Sequence, residues 1–221
     1  MIHVVVIAPH PDDETLGCGG TILKHIAQGD RVSWIIMTQA HGGIGYSEAQ
    51  INEREIMIDK VASAYRFAET YRLNFPSTTL DHVQLGDIIG SVNSVFQKEK
   101  PEIIYMPFVN DIHSDHYYTV QAVQACSKSF RHPEVKKVIS YETPSETDFT
   151  LPPNACFQPN LFVDISAHFK RKLEILSLYE KELKEHPFPR SYKGIEALAT
   201  MRGATANVQQ AESFMLLKEI W

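Results

Sequence analysis

Hydrophobic positions along the chain follow two alternating rhythms. Residues 2–8, IHVVVIA, form an unbroken β-branched run, the pattern of a parallel strand covered on both faces. Similar runs recur at 31–38 (RVSWIIMT), 102–109 (EIIYMPFV), 135–142 (VKKVISYE) and 161–166 (LFVDIS). Between them, apolar residues return at helical spacing. GGTILKHIAQGD (19–30) stops at Gly29, and LGDIIGSVNSVFQKEK (85–100) is closed by Pro101. Segments 48–68, 117–130 and 168–185 read as further helices, the last with Leu and Ile on one face and Lys and Glu on the other. This β-α-β-α order predicts a three-layer α/β/α sandwich around a mostly parallel, Rossmann-like sheet, in one domain spanning 1–221. Residues 143–160 read as a long excursion, and 186–221 as a C-terminal cap on the same domain.

Composition narrows the class. A hydrophobic fraction of 43% with 22% charged residues is that of a globular chain. The net charge of −6 argues against binding nucleic acid or an anionic membrane. The longest apolar runs are too short to span a bilayer, and MIHVVVIA lacks a basic flank and cleavage site, so a cytoplasmic protein is expected. Cys18, Cys126 and Cys156 form no CxxC pair, which disfavours a disulfide framework or a cysteine zinc site. There is no internal repeat, and the pattern does not decide between a monomer and a homo-oligomer.

The chemistry gathers at two strand ends. The first strand runs into APHPDDE, and the strand at 102–109 into NDIHSDH. In open α/β sheets, sites form beyond the carboxyl ends of the strands. That rule brings His10, Asp12, Asp13, His113, Asp115 and His116 to one edge. Imidazole and carboxylate together suit zinc, iron or manganese, and a bound cation would compensate the buried acids. Blander readings exist. Acids at 12–14 could simply favour a helix N-terminus. GCGG at 17–20 could cradle a phosphate, making the chain a nucleotide-binding module, but it lacks the G-x-G-x-x-G spacing. Repetition of the His-plus-Asp cluster at the second strand end favours the metal.

APHPDDETLGCGGTI followed by HSDH resembles the PIG-L/LmbE-like family of zinc-dependent N-deacetylases, with Ser114 where the family has proline. NEREIMIDKVASAY resembles the helix that carries the family's arginine, with YRF where Leu-Gly is usual. PFPRS and RGATANVQQAESF resemble its C-terminal motifs. The resemblance implies His10, Asp13 and His116 as ligands of one Zn2+, or of Fe2+ or Mn2+. It implies Asp12 as general base on metal-bound water, and His113 as a protonated partner near the oxyanion and leaving amine, oriented by Asp115. Arg54 would touch substrate or the oxyanion, with an ion pair to the neighbouring Glu53 and Glu55 as the competing reading. Glu14 is read as favouring the helix N-terminus or supporting a ligating histidine from behind, and His41 as lying on the correct edge.

The expected reaction is removal of an acetyl group from an N-acetylglucosamine derivative or similar amino sugar. A zinc amidase acting on a non-sugar N-acyl amine is the alternative. Thr143, Ser145, Glu146, Thr147, Asp148 and Asn160 offer hydroxyl partners in the 143–160 excursion, or only bond their own turns. Tyr117, Tyr118, Phe149 and Phe157 read as packing more than as sugar platforms.

Overall fold

The structure, a computed structural model, describes residues 1–40, 45–151 and 155–221. The chain runs β1 (His3–Ala8), α1 (Asp13–Ala27), β2 (Arg31–Gln39), α2 (Glu48–Tyr65), β3 (Glu69–Pro76), α3 (Leu85–Glu99) and β4 (Ile103–Pro107). It continues with α4 (Ser114–Cys126), β5 (Lys137–Tyr141), β6 (Leu161–Asp164), α5 (Phe169–Leu176), α6 (Tyr192–Ala206) and β7 (Ala211–Glu219). One sheet of seven strands has the order β3-β2-β1-β4-β5-β7-β6. The first five of these are parallel, and β7 pairs antiparallel with both β5 and β6.

Both faces of the sheet are covered, as the apolar strands require. Val4, Val6, Trp34 and Ile36 pack on one side with Leu16 and Ile22 of α1 and with Ile58 and Val61 of α2. Val5, Ile7, Ile35 and Met37 pack on the other with Val92 and Phe96 of α3 and with Val120 and Val123 of α4. Each such residue excludes water on its own face, worth about 1.5–3 kcal/mol for a large aliphatic side chain.

The expected strands and helices form, with α6 added inside the expected cap and with four further differences. The helix predicted from Gly19 begins at Asp13, so the acidic residues are its first turn. ETYRLNFP forms β3, an edge strand whose Tyr71, Leu73 and Phe75 alternate onto the α3 and α4 side. The predicted helix 168–185 ends at Leu176 and passes into tight turns over Ser177–Glu182, where Tyr179 leaves helical geometry (φ −93°, ψ 43°). Finally, the segment read as a cap is only partly one. Its last element, β7, lies inside the sheet between β5 and β6.

Helix α1 is itself kinked at Cys18 (φ −144°, ψ 22°). A buried ion pair bridges the break. Lys172 Nζ donates to the Leu16 carbonyl at 3.0 Å and to Glu212 Oε1 at 2.7 Å. Glu212 accepts the Gly20 and Thr21 N–H groups at 2.8 and 2.7 Å and the Thr21 hydroxyl at 2.6 Å. Gly20 is required here because a Cβ would stand 2.7 Å from the Ile165 side chain.

Candidate metal centre

The strand order reverses between β1 and β4, so their carboxyl ends diverge into a crevice. The segment after β1 and the segment entering α4 both open there. The structure thereby joins two clusters separated by about a hundred residues. The rings of His10 and His113 meet at 4.5 Å between centroids, those of His10 and His116 at 5.6 Å, and those of His113 and His116 at 5.7 Å.

Asp13 is central. Its Oδ2 accepts the His10 backbone N–H at 2.8 Å and lies 3.4 Å from His10 Nδ1 and 3.3 Å from His116 Nε2. Donor atoms of His10, Asp13 and His116 all lie within 4.8 Å of one another, and so do those of His10, His113 and Asp115. Burial alone would raise the Asp13 carboxyl, but the two imidazoles hold it well below the usual range. Burial would likewise lower both histidines. Instead, hydrogen bonds to Asp115 and Asp13 lift His10 to about 9, and the charges of Asp13 and Asp111 lift His116 well above its ordinary value.

The donors fit a cation. His116 is fully buried, and its Nε2 makes no hydrogen bond. Its Nδ1 is held by Asp111 Oδ2 at 2.7 Å, and Asp111 Oδ1 accepts the Thr147 hydroxyl at 2.6 Å. An imidazole fixed through one nitrogen and bare at the other, facing a carboxylate and a second imidazole, is the arrangement that a transition metal takes.

Asp12 stands beside this group without belonging to it. It is 3% exposed, and its Oδ2 accepts from Arg190 Nη1 at 2.9 Å. Burial, and then the Asp13 charge, push its carboxyl up, while Arg190 pulls it down. Its backbone is forced to φ 136°, a strained conformation for a residue with a Cβ, costing about 1–3 kcal/mol. Glu14, wholly buried, accepts the Asp12 N–H at 3.1 Å, the Thr15 hydroxyl at 2.5 Å and the Tyr179 hydroxyl at 2.6 Å. Burial raises Glu14 to about 7, against these bonds.

His113 caps the N-terminus of α4, with its Nδ1 accepting the Asp115 backbone N–H at 3.1 Å. The Asp115 carboxylate makes its hydrogen bonds elsewhere. It accepts from His10 Nε2 at 3.0 Å and from the N–H groups of Thr78 and Leu80 at 2.7 and 3.1 Å. This carboxylate still favours the charged form of His113, as expected, but it is outweighed. Burial, and then the charge of His10, hold His113 down at about 4.

Arg54 sits one step back. Its Nη1 lies 3.5 Å from Glu182, whose carboxylate also lies 3.7 Å from Arg190. Arg54 thus pairs with Glu182 rather than with its neighbours on α2. His41 and residues 152–154 of the excursion lie outside the described residues. Within the excursion, Thr147 bonds Asp111 and the Thr143 N–H, and Asn160 pairs with the Leu216 backbone. Both therefore anchor structure. Phe157 packs edge-on against Phe108, and Tyr117 against Tyr118.

Asp111 and Arg190 were not singled out in the sequence. Asp111 sits inside NDIHSDH, where a lone acid reads as a solvated loop residue. Arg190 reaches Asp12 across 178 positions, and no local pattern announces that. The GCGG turn is not a phosphate cradle, because the Gly20 and Thr21 N–H groups are taken by Glu212.

The model of the PIG-L family, described as GlcNAc-PI de-N-acetylase, matches residues 5–127. Diacetylchitobiose deacetylase of Thermococcus kodakarensis is 25% identical, over 99% of this chain and 84% of its own length. The conserved protein TT1542 of Thermus thermophilus superposes with a TM-score of 0.77 at 24% identity, covering 100% of this chain and 97% of that one. GalB, the 4-carboxy-2-hydroxymuconate hydratase of Pseudomonas putida, superposes with a TM-score of 0.74 at 16% identity, covering 100% and 98%. At such identities the two structures establish the fold alone, and one fold can host unrelated reactions. Among the described residues, no helix is long and apolar enough to cross a membrane.

Proposed function

The chain belongs to the PIG-L family, and on that premise we propose that it is a zinc-dependent N-deacetylase acting on an N-acetylglucosamine-type sugar. The observation that carries the reading is the open triad of His10, Asp13 and His116, with the spare carboxylate of Asp12 beside it. A ligand set without a neighbouring base would suit a structural ion, whereas hydrolysis needs both. The imidazole and carboxylate donors suit zinc, and iron or manganese as well.

A divalent cation held by these three residues would supply Lewis acidity, polarising the acyl oxygen and acidifying water. Asp12 takes a proton from the attacking water as its oxygen bonds to the acyl carbon. Arg190 holds Asp12 Oδ2 in place and balances its charge. With Nδ1 accepting the Asp115 N–H, His113 carries its proton on Nε2 and donates a hydrogen bond to the developing oxyanion. As the C–N bond breaks, Asp12 returns its proton to the departing nitrogen, leaving a free amine and acetate. Asp111 fixes the ring of His116, and Asp115 fixes that of His10. The sugar would lie against the 143–151 excursion, where the half-buried Glu146 is close enough to feel the charges of His116 and Asp13.

The test is metal analysis coupled to amine release. Purified protein should hold one transition metal per chain and deacetylate an N-acetylglucosamine glycoside far faster than a simple N-acetyl alkylamine. Comparable rates on both compounds would favour the non-sugar amidase. Nucleotide retention without metal would favour the nucleotide-binding module. No amide hydrolysis with metal bound would leave other chemistry on this fold, such as hydration.

A further inference from the structure

We propose that Glu14 and Tyr179 are positioning residues for the base Asp12, a brace that holds its backbone in the conformation that aims its carboxylate. The inference rests on the deacetylase reading through Asp12. Glu14 is buried completely, yet no lysine or arginine contacts it among the described residues. An isolated buried carboxylate is costly, and a helix first turn does not need one so deep. What this carboxylate does is visible in its bonds. One oxygen accepts the N–H of Asp12, the residue forced to φ 136°. The other accepts the hydroxyls of Thr15 and Tyr179, and Tyr65 donates in turn to Thr15 at 3.0 Å.

Asp12 is thus gripped at both ends by the C-terminal third of the chain. Tyr179 acts on its backbone through Glu14, and Arg190 acts on its side chain. Both lie outside the stretch that the family model matches. Tyr179 reaches Glu14 from the point where the backbone leaves helical geometry after α5. That kink replaces the predicted continuous helix and turns the ring inward, where Tyr179 is 2% exposed.

The test separates aim from architecture. Glu14→Leu removes the acceptor at nearly constant volume and should lower kcat by about 10²-fold, the cost of a misplaced catalytic group. KM and metal affinity should stay unchanged. Glu14→Gln keeps an acceptor for the Asp12 N–H and should retain most of the wild-type kcat. Tyr179→Phe should lower kcat by a smaller factor in the same direction, and it decides the matter if Glu14→Leu does not fold. In the metal-free protein, the Asp12 amide should exchange slowly with deuterium, and Glu14→Leu should abolish that protection. Wild-type kcat in folded, metal-loaded Glu14→Leu and Tyr179→Phe would overturn the brace, as would a loss of kcat that only tracks a loss of metal. A wild-type enzyme with no amide hydrolysis would instead refute the deacetylase reading.

Discussion

Charge is buried in two places in this molecule, and they are built differently. Under the kink of α1, Lys172 and Glu212 form a closed group. Glu212 accepts four hydrogen bonds, from Gly20 N, Thr21 N, Thr21 Oγ1 and Lys172 Nζ, and Lys172 also caps the Leu16 carbonyl. At the strand ends, Asp12, Asp13, Asp111 and Asp115 crowd around three histidines and Arg190, and His116 Nε2 is left bare. The carboxylates of both groups are buried, although His10, His113 and Arg190 of the second are partly exposed. Only the second has an excess of acid and an unfilled donor. Burial of charge alone therefore does not mark a site here; a surplus of acid around an imidazole nitrogen without a hydrogen bond does. A satisfied pair splices a broken helix, whereas an unsatisfied cluster is shaped for something that the chain does not supply.

Mutations should break the two regions in different ways. The largest effect on turnover is expected from Asp12→Asn, which should lower kcat by roughly 10²–10⁴-fold while metal content and thermal midpoint hold, as steady-state kinetics with metal analysis would show. Loss of metal in Asp12→Asn and retention in Asp13→Asn would exchange the roles of the two acids. In the closed region, Lys172→Met should cost about 3–5 kcal/mol of stability by urea titration, because Glu212 keeps its charge without its cation. The kcat per folded molecule should not change. Asp111→Ala releases the ring of His116 and should weaken metal affinity by about 10–100-fold in a chelator competition.

The smallest effect is expected from His113→Gln, read as a pH profile. His113 is held down at about 4, so it is neutral from mildly acidic pH upward, and a bound cation nearby pushes it lower still. It therefore contributes no alkaline limb to kcat/KM. His113→Gln should leave that limb unaltered and cost less than the roughly 10²-fold expected for loss of a general acid. An alkaline limb that disappears in this variant would restore His113 as a cationic proton donor.

The same contrast explains what the sequence could disclose. The two His-plus-Asp segments were legible because dense charge at the end of an apolar strand is improbable in a core, and strand-end logic brings the segments together. β1, β2, β4 and β5 were legible because they are apolar on both faces; the half-exposed parallel edge strand β3 was not. β7 was not, since its place between β5 and β6 depends on antiparallel partners 47 to 82 residues upstream. Nor was α6, whose Gly194 and Gly203 weaken the helical signal. Arg190, Tyr179 and Lys172 act through contacts over more than 150 positions, and their neighbours in the chain carry no trace of that. Asp115 was expected to orient His113, and its backbone N–H does bond that ring. Its carboxylate bond to His10 was not legible, because it depends on how the first turn of α4 faces a residue 105 positions away.

The central claim, that the open cluster is a metal site and the closed one is not, reduces to one measurement. Metal content should be determined for the wild type, His116→Ala and Lys172→Met, each purified from the same zinc-supplemented preparation. The account predicts about one ion per chain in the wild type and in Lys172→Met, and a near-complete loss in His116→Ala, whose bare Nε2 is the feature that calls for the ion. Full metal content in His116→Ala would contradict it.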